Sequence, residues 1–404
     1  MIPFAPPHID NDTLEAVVKV LKSGWITTGP VTKQFEKDIT TYCNCKATLC
    51  LNSATAGLEI MLRWFGVGPG DEVILPAYTY SATANVVMHV GAKPVFVDVN
   101  PTDFNINIKA IDAAITANTK IIMPVDFGGY PCDYNAIKNL VAQKANMFVA
   151  KSDNQQKLAR ILILSDAAHS FGASIAGIKT GSLADVSVFS FHAVKNLTTA
   201  EGGAIALNLP EPFDNDAIYK FLAIYTLHGQ NKDALAKMQK GNWRYDIVEA
   251  GFKCNLTDIN ASIGAVGLKK YESQTLPKRK AICKFYNEAL SKYNWAVLPT
   301  QQLADIESSY HLYPLRIKNI NEAQRDLIIQ KIFDADVLVN VHFIPLPMLS
   351  YYKNLGYDIN HYPNTYQNYA SEISLPVFFD ITEAQLTSVI NAVVNAVTEI
   401  LKLD

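Results

Sequence analysis

Through its first two thirds the chain alternates short apolar runs with stretches patterned for helices, and that alternation restricts the fold more than any other feature. Strand-length runs stand at 46–52 (KATLCLN), 72–77 (EVILPA), 93–99 (KPVFVDV), 120–126 (KIIMPVD), 160–166 (RILILSD), 186–191 (VSVFSF) and 204–208 (AIALN). Between the first two, SATAGLEIMLRWF at 53–65 carries Leu58, Met61, Leu62 and Phe65 at helical spacing, with Ser53 placed to cap it. Strands separated by helices build βαβ units on a mainly parallel sheet. The expectation is an α/β fold.

Further along the pattern changes. A long helix is predicted over 277–290, a strand at 311–317 (HLYPLRI), a helix over 321–333, a strand at 337–343 (VLVNVHF) and a last helix from Thr382. With 404 residues, more than one compact core usually holds, the expected division is a large domain over 1–275 and a small C-terminal α+β domain over 276–404. Residues 144–159 are polar and charged where a short turn would do, and read as a surface excursion.

Composition narrows the function classes. A chain that is 49% hydrophobic and 18% charged suits a well-packed enzyme rather than a disordered protein. A net charge of -3 and the lack of any Lys/Arg-rich run leave no footprint for nucleic acid. No basic start followed by an apolar run opens the sequence, and no stretch approaches 18 uninterrupted apolar residues, so a cytoplasmic protein without a membrane partner is expected. Cys43, Cys45 and Cys50 lie close together, but no matching Cys/His pair follows to complete a zinc site. The six cysteines read as buried or half-buried thiols, with no metal.

Three segments carry chemistry, all at the carboxyl ends of expected strands, where open α/β sheets bind ligands. Asn52-Ser53-Ala54-Thr55 puts small residues at a helix start, with free N–H groups that suit a phosphate or serve as a plain cap. Asp166-Ala167-Ala168-His169 ends an apolar strand, where a buried carboxylate needs a partner. A pyridinium nitrogen would be one; a capping Asp166 and a core His169 are the alternative. Lys195 lies among small and apolar neighbours in VFSFHAVKNLTTAEGGAIAL, where burial favours the neutral amine that attacks a carbonyl. Read by itself, it is also compatible with a snorkelling surface lysine. Together, a phosphate nest, a carboxylate for a ring nitrogen and a lysine for an aldehyde are the fixtures pyridoxal 5'-phosphate (PLP) needs.

These segments resemble the DegT/StrS family of PLP-dependent sugar aminotransferases, over nearly the whole chain. The likeness runs through SGWITTGP (23–30), LNSATAGLEI (51–60), GDEVILPAYTYSATANVV (70–87), SDAAHSFGA (165–173), FSFHAVKNLTTAEGGAI (189–205), GFKCNLTDINASIG (251–264) and EISLPVFFDIT (372–382). FSFHAVKN and NLTDIN look most like members that aminate a UDP-4-keto-pentose. The resemblance implies fold-type I, the aspartate aminotransferase-like architecture, with Lys195 carrying PLP, Asp166 at the pyridine nitrogen and His169 beside the phenolic oxygen. It places Tyr80 on the cofactor ring and Ala54, Thr55 and Ser190 at its phosphate. Asn255 corresponds to an asparagine that reaches the phosphate from a second subunit, so a homodimer with shared sites is implied. His228 and His342 occupy histidine positions on the substrate side. The implied reaction moves an amino group from glutamate to a keto sugar of a nucleotide sugar. Alternatives are a dTDP-keto sugar or cyclitol as acceptor, or a non-catalytic PLP-binding regulator. Sugar dehydratases of the family carry histidine where this chain has Lys195. Where many relatives have arginine, this chain has Cys254-Asn255, which leaves the hold on the donor carboxylate open.

Overall fold

A computed structural model describes residues 1–232 and 244–402. A seven-stranded sheet forms its centre, from β1 (Ala47–Leu51), β2 (Glu72–Pro76), β3 (Lys93–Val97), β4 (Thr119–Ile122), β5 (Leu162–Asp166), β6 (Val186–Ser190) and β7 (Gly203–Leu207). The spatial order is β1-β7-β6-β5-β4-β2-β3. Neighbours from β3 to β6 pair in parallel, and only β7 runs against its neighbours β6 and β1. All seven expected strands are present, and the α/β expectation holds.

The strands read as continuous apolar runs because both faces of the sheet are covered. Val73 and Leu75 pack into one apolar cluster and Ile74 into another; Leu162 and Leu164 likewise lie opposite Ile163. The helix after β1 spans Ala54–Trp64, and Ser53 caps it by accepting from Ala56 N–H at 3.1 Å.

Beyond the sheet, the helix Leu276–Leu290 leads to a three-stranded antiparallel sheet of β8 (Ala296–Val297), β9 (Tyr313–Ile317) and β10 (Glu372–Leu375). Helices Glu322–Asp334 and Glu383–Leu401 begin at capping boxes, Asn321 with Gln324 and Thr382 with Gln385. The last helix is long and apolar enough by composition to cross a bilayer. Here its Leu386, Val389, Val393 and Val397 are buried in a core shared with Ile328 and Ile332.

One expectation needs correction. Residues 337–343 form no strand: Val337 pairs only with Ile2 and Asn340 only with Ser374. The amide of His342 donates to the Glu372 side chain at 3.0 Å instead of to a neighbouring strand. Residues 144–159 run along the surface, as expected, with only Gln155 and Leu158 buried. They include a helix, Asp153–Leu158, and buried Gln155 donates to the carbonyls of Phe65 and Gly66 at the far end of the helix Ala54–Trp64. Cys43, Cys50, Cys132, Cys254 and Cys283 are buried and Cys45 half-buried.

Candidate active site

A cavity of about 360 Å³ opens at the carboxyl ends of β1, β5 and β6. Eight of the ten residues singled out in the sequence line it: Ala54, Thr55, Tyr80, Asp166, His169, Ser190, Lys195 and His342. Segment 144–159 contributes nothing to its lining.

Ala54 and Thr55 open a helix, so their N–H groups have no intrahelical carbonyl and meet the positive end of the helix dipole. Ser190 ends β6 beside them. Between the two elements runs β7, whose Gly203 pairs with both Leu51 and Ser190. A Cβ on Gly203 would lie 2.4 Å from the Ala54 nitrogen. The second glycine of Glu201-Gly202-Gly203 is therefore what lets strand and helix start come together.

Asp166 ends β5 and is buried. It accepts from Thr83 Oγ1 at 2.8 Å and Ala168 N–H at 3.2 Å. Burial pushes its carboxyl above the usual range, against the pull of Thr83, Ala168 and Lys195. No lysine or arginine forms an ion pair with it among the described residues, so the site holds a buried carboxylate with room for a cationic partner. Lys195 follows β6 on the loop at 191–202; burial lowers its ammonium to about 8, partly offset by Asp166. Its Nζ makes no hydrogen bond or ion pair among the described residues. About a tenth of the amine is thus neutral and nucleophilic at pH 7, and about half at pH 8.

Three histidines surround this pair. His169, His311 and His342 are all held below the ordinary imidazole range, by burial first and then by Lys195 or neighbouring rings, with His342 near 3. His169 Nδ1 accepts from Gly128 N–H at 3.3 Å, which leaves its hydrogen on Nε2. His311 Nδ1 lies 2.9 Å from Asn196 Oδ1, and Asn196 Nδ2 donates to Ser309 O, so His311 carries its hydrogen on Nδ1. The ring centroids of His169 and His311 are 4.4 Å apart. Tyr80 is 61% exposed at the cavity rim, tilted against Phe343 at 5.7 Å.

Sequence reasoning missed Thr83, His311, Asn196 and Phe343. Thr83 sits on the helix Ser81–His89, and its hydrogen bond to Asp166, 83 residues further along the chain, is set by tertiary packing alone. Asn196, next to Lys195, was within reach of a local reading; His311 was not. The structure does not bring Asn255 or His228 to the cavity of their own chain. Asn255 bridges to Leu51 on the outer edge of β1 and donates to Thr28 Oγ1 at 2.6 Å. His228 has a left-handed backbone, φ 62°, and its amide donates to Phe252 O at 2.7 Å.

A buried acid awaiting a cation, a free amine and an anion-ready helix start fit PLP, and known proteins agree. An uncharacterized protein of Methanocaldococcus jannaschii is 38% identical over 403 residues, 98% of each chain. The spore coat polysaccharide biosynthesis protein SpsC of Bacillus subtilis is 33% identical, over 97% of this chain and 96% of its own. Among solved structures, Spr1654 from Streptococcus pneumoniae, assigned as a sugar aminotransferase, superposes in its PMP form with a TM-score of 0.96 at 44% identity, over 99% of this chain and 100% of that one. Its PLP form gives 0.94 at 42% identity, over 99% of each. Residues 7–394 match the profile of one family, and the chain belongs to it: the DegT/DnrJ/EryC1/StrS aminotransferase family.

Proposed function

We propose that this chain is a PLP-dependent sugar aminotransferase that passes the amino group of glutamate to the keto group of a nucleotide sugar, with a UDP-4-keto sugar as the preferred reading. The observation that carries the reaction class is the cavity itself, where Lys195, Asp166 and the helix start at Ala54 converge. The nucleotide-sugar half rests on the motif resemblance and on a relative named for polysaccharide biosynthesis. A cytoplasmic setting agrees with cysteines kept as thiols.

PLP, when bound, supplies the electron sink that lets a C–H bond next to nitrogen ionise. The chain does the rest. Ala54 and Thr55 N–H groups with the Ser190 hydroxyl hold the phosphate. Asp166 keeps a proton on the ring nitrogen by stabilising its positive charge. His169, with its hydrogen on Nε2, would donate to the ring oxygen, and Tyr80 at the rim would cover the ring. Lys195 Nζ accepts the proton from the donor's Cα in one half of the cycle and delivers one to the sugar carbon that gains nitrogen in the other. Asn255 acts at the phosphate of the neighbouring site of a homodimer, and His228 on the substrate side.

The test is Lys195→Ala. It should lose both the visible absorbance of bound PLP and all turnover, while the wild type with glutamate alone converts to the PMP form. Full activity in Lys195→Ala overturns the assignment. Incubating the PMP form with UDP- and dTDP-linked 3-keto and 4-keto sugars, and with a keto cyclitol, identifies the acceptor. A regulator without catalysis would fail the glutamate half-reaction.

A further inference from the structure

His342 does not end at the cavity wall. Its Nδ1 lies 2.9 Å from Ser374 Oγ, the Ser374 hydroxyl donates to Glu372 Oε1, and Glu372 Oε2 accepts from the His342 amide at 3.0 Å. Ser374 and Glu372 are both on β10, and the His342 segment is bridged to that strand through Asn340 and Ser374. Nε2 has no partner among the described residues, and the ring lines the cavity. A carboxyl with no route to solvent is thus wired through one hydroxyl to one imidazole that faces the ligand.

Hydrogen counting fixes what the wire does. With Glu372 ionised, Ser374 must donate to it, so Ser374 Oγ can only accept from His342, which then carries its hydrogen on Nδ1 and turns a lone pair to the cavity. With Glu372 protonated, Oε2 still serves the His342 amide and the new hydrogen goes from Oε1 to Ser374. Ser374 then donates to Nδ1, and His342 shows an Nε2–H donor to the ligand. The added proton arrives at Nε2 from the cavity, the Nδ1 hydrogen passes to Ser374 and the Ser374 hydrogen to Glu372, so the net charge changes at Glu372 while the imidazole changes tautomer and ends neutral.

We propose that Glu372 and Ser374 are positioning residues that set the tautomer of His342, and that the donor form binds a carboxylate of the amino donor. The carboxylate half rests on the proposed amino-acid donor. It is favoured because a carboxylate only accepts, and Lys195 is the one lysine or arginine among the described residues lining the cavity. The groups facing Glu372 are Arg316 on β9, Arg325 on the helix Glu322–Asp334, and His342 itself. Tyr78 after β2 also faces it. Those facing His342 are Lys195, His169 and His311. Burial favours protonated Glu372, while the hydrogen bonds from Ser374 and the His342 amide and then the charges of Arg325 and Arg316 favour the ionised form; burial wins, raising the carboxyl to about 8 and placing the exchange within reach of ordinary buffers.

The test uses PLP-loaded enzyme with ¹⁵N-labelled histidine, the His342 signals being assigned by their loss in His342→Gln. Between about pH 6 and pH 10, the His342 hydrogen should move from Nε2 to Nδ1 in the wild type. Glu372→Gln should hold it on Nε2 throughout, because the amide oxygen takes the His342 N–H and the NH₂ group faces Ser374. Ser374→Ala should cut the dependence, and Ser374→Thr should restore it. Over the same range the Kd for glutarate should rise about tenfold in the wild type and stay flat in Glu372→Gln, as for a hydrogen bond to a charged group. A wild-type His342 that keeps one tautomer, or a switch that survives in Ser374→Ala, overturns the relay. If Glu372→Gln does not fold, the two Ser374 variants decide. A tautomer switch with unchanged glutarate binding overturns the carboxylate assignment. The tautomer readout needs no turnover, so it stands apart from a failure of the proposed reaction.

Discussion

Asp166 reaches the end of β5 with two small donors and no ion-pair partner among the described residues, so its charge depends on Thr83 and the Ala168 amide. Thr83→Val removes a hydrogen bond to a buried carboxylate, an interaction of about 1.5–3 kcal/mol, and should lower kcat/KM roughly 10- to 100-fold while the fold is retained. Weaker PLP retention with an unchanged circular dichroism spectrum is the accompanying result. Lys195 gives a pH prediction of definite sign. Its ammonium is depressed to about 8, so the nucleophilic amine grows as pH rises through that value and saturates above it. The rate at which apoenzyme captures PLP, followed by absorbance, should climb between about pH 7 and 9 and then level. A rate that is flat there contradicts a half-buried, unpaired amine. Tyr78, which faces Glu372, gives a stability prediction: its hydroxyl is buried without a hydrogen-bond partner among the described residues. Tyr78→Phe should therefore be neutral or stabilising, by up to about 1–3 kcal/mol in denaturant unfolding.

At the scale of elements, the phosphate cradle is a product of close approach. Gly203→Ala would drive a methyl group against the Ala54 nitrogen, a backbone atom that cannot step aside. The expected cost is about 1–3 kcal/mol of stability, with PLP affinity falling more steeply than Tm, because the strain sits on the N–H groups that face the phosphate. The same scale separates what was legible from what was not. Strands such as β5 announce themselves because both faces are buried, and Ser53, Asn321 and Thr382 mark helix starts with chemistry any reader can see. The alternation in 337–343 looked like a strand for the same reason, yet Val337 and Val339 are buried without a ladder, and the side chain of Glu372 takes the amide that a ladder would have used. Lys195, Asp166 and the helix start were readable as local chemistry; Thr83 and His311 were not, since only the packing of distant segments makes them neighbours. The proposed division at 275/276 falls where a π-helical turn, Tyr271–Thr275, runs directly into the helix Leu276–Leu290. The first residues nevertheless join the later part, Ile2 N–H donating to Asp336 O at 2.7 Å.

For the molecule as a whole, the decisive residue is one that misses its own cavity. Asn255 lies on the outer side of β1, the edge strand of the central sheet, while Ala54, Thr55 and Ser190 converge on the inner side. If it reaches a phosphate, that phosphate belongs to another subunit, and a two-fold dimer is the simplest closed arrangement in which each chain lends the other one residue. Complementation tests this. Lys195→Ala removes the amine from a site, and Asn255→Ala weakens the neighbouring one. In a mixed dimer both defects can fall in the same site, which leaves the second site intact. Co-expressing the inactive Lys195→Ala with the weakened Asn255→Ala should give half of the dimers mixed and half of their sites whole, so that restored sites contribute about a quarter of wild-type activity for random pairing, on top of the residual activity of Asn255→Ala. If Asn255 instead served the cavity of its own chain, every site in the mixture would carry one defect or the other. Activity would then not exceed that of the parents, and size-exclusion chromatography of the same sample would show whether mixed dimers had formed at all.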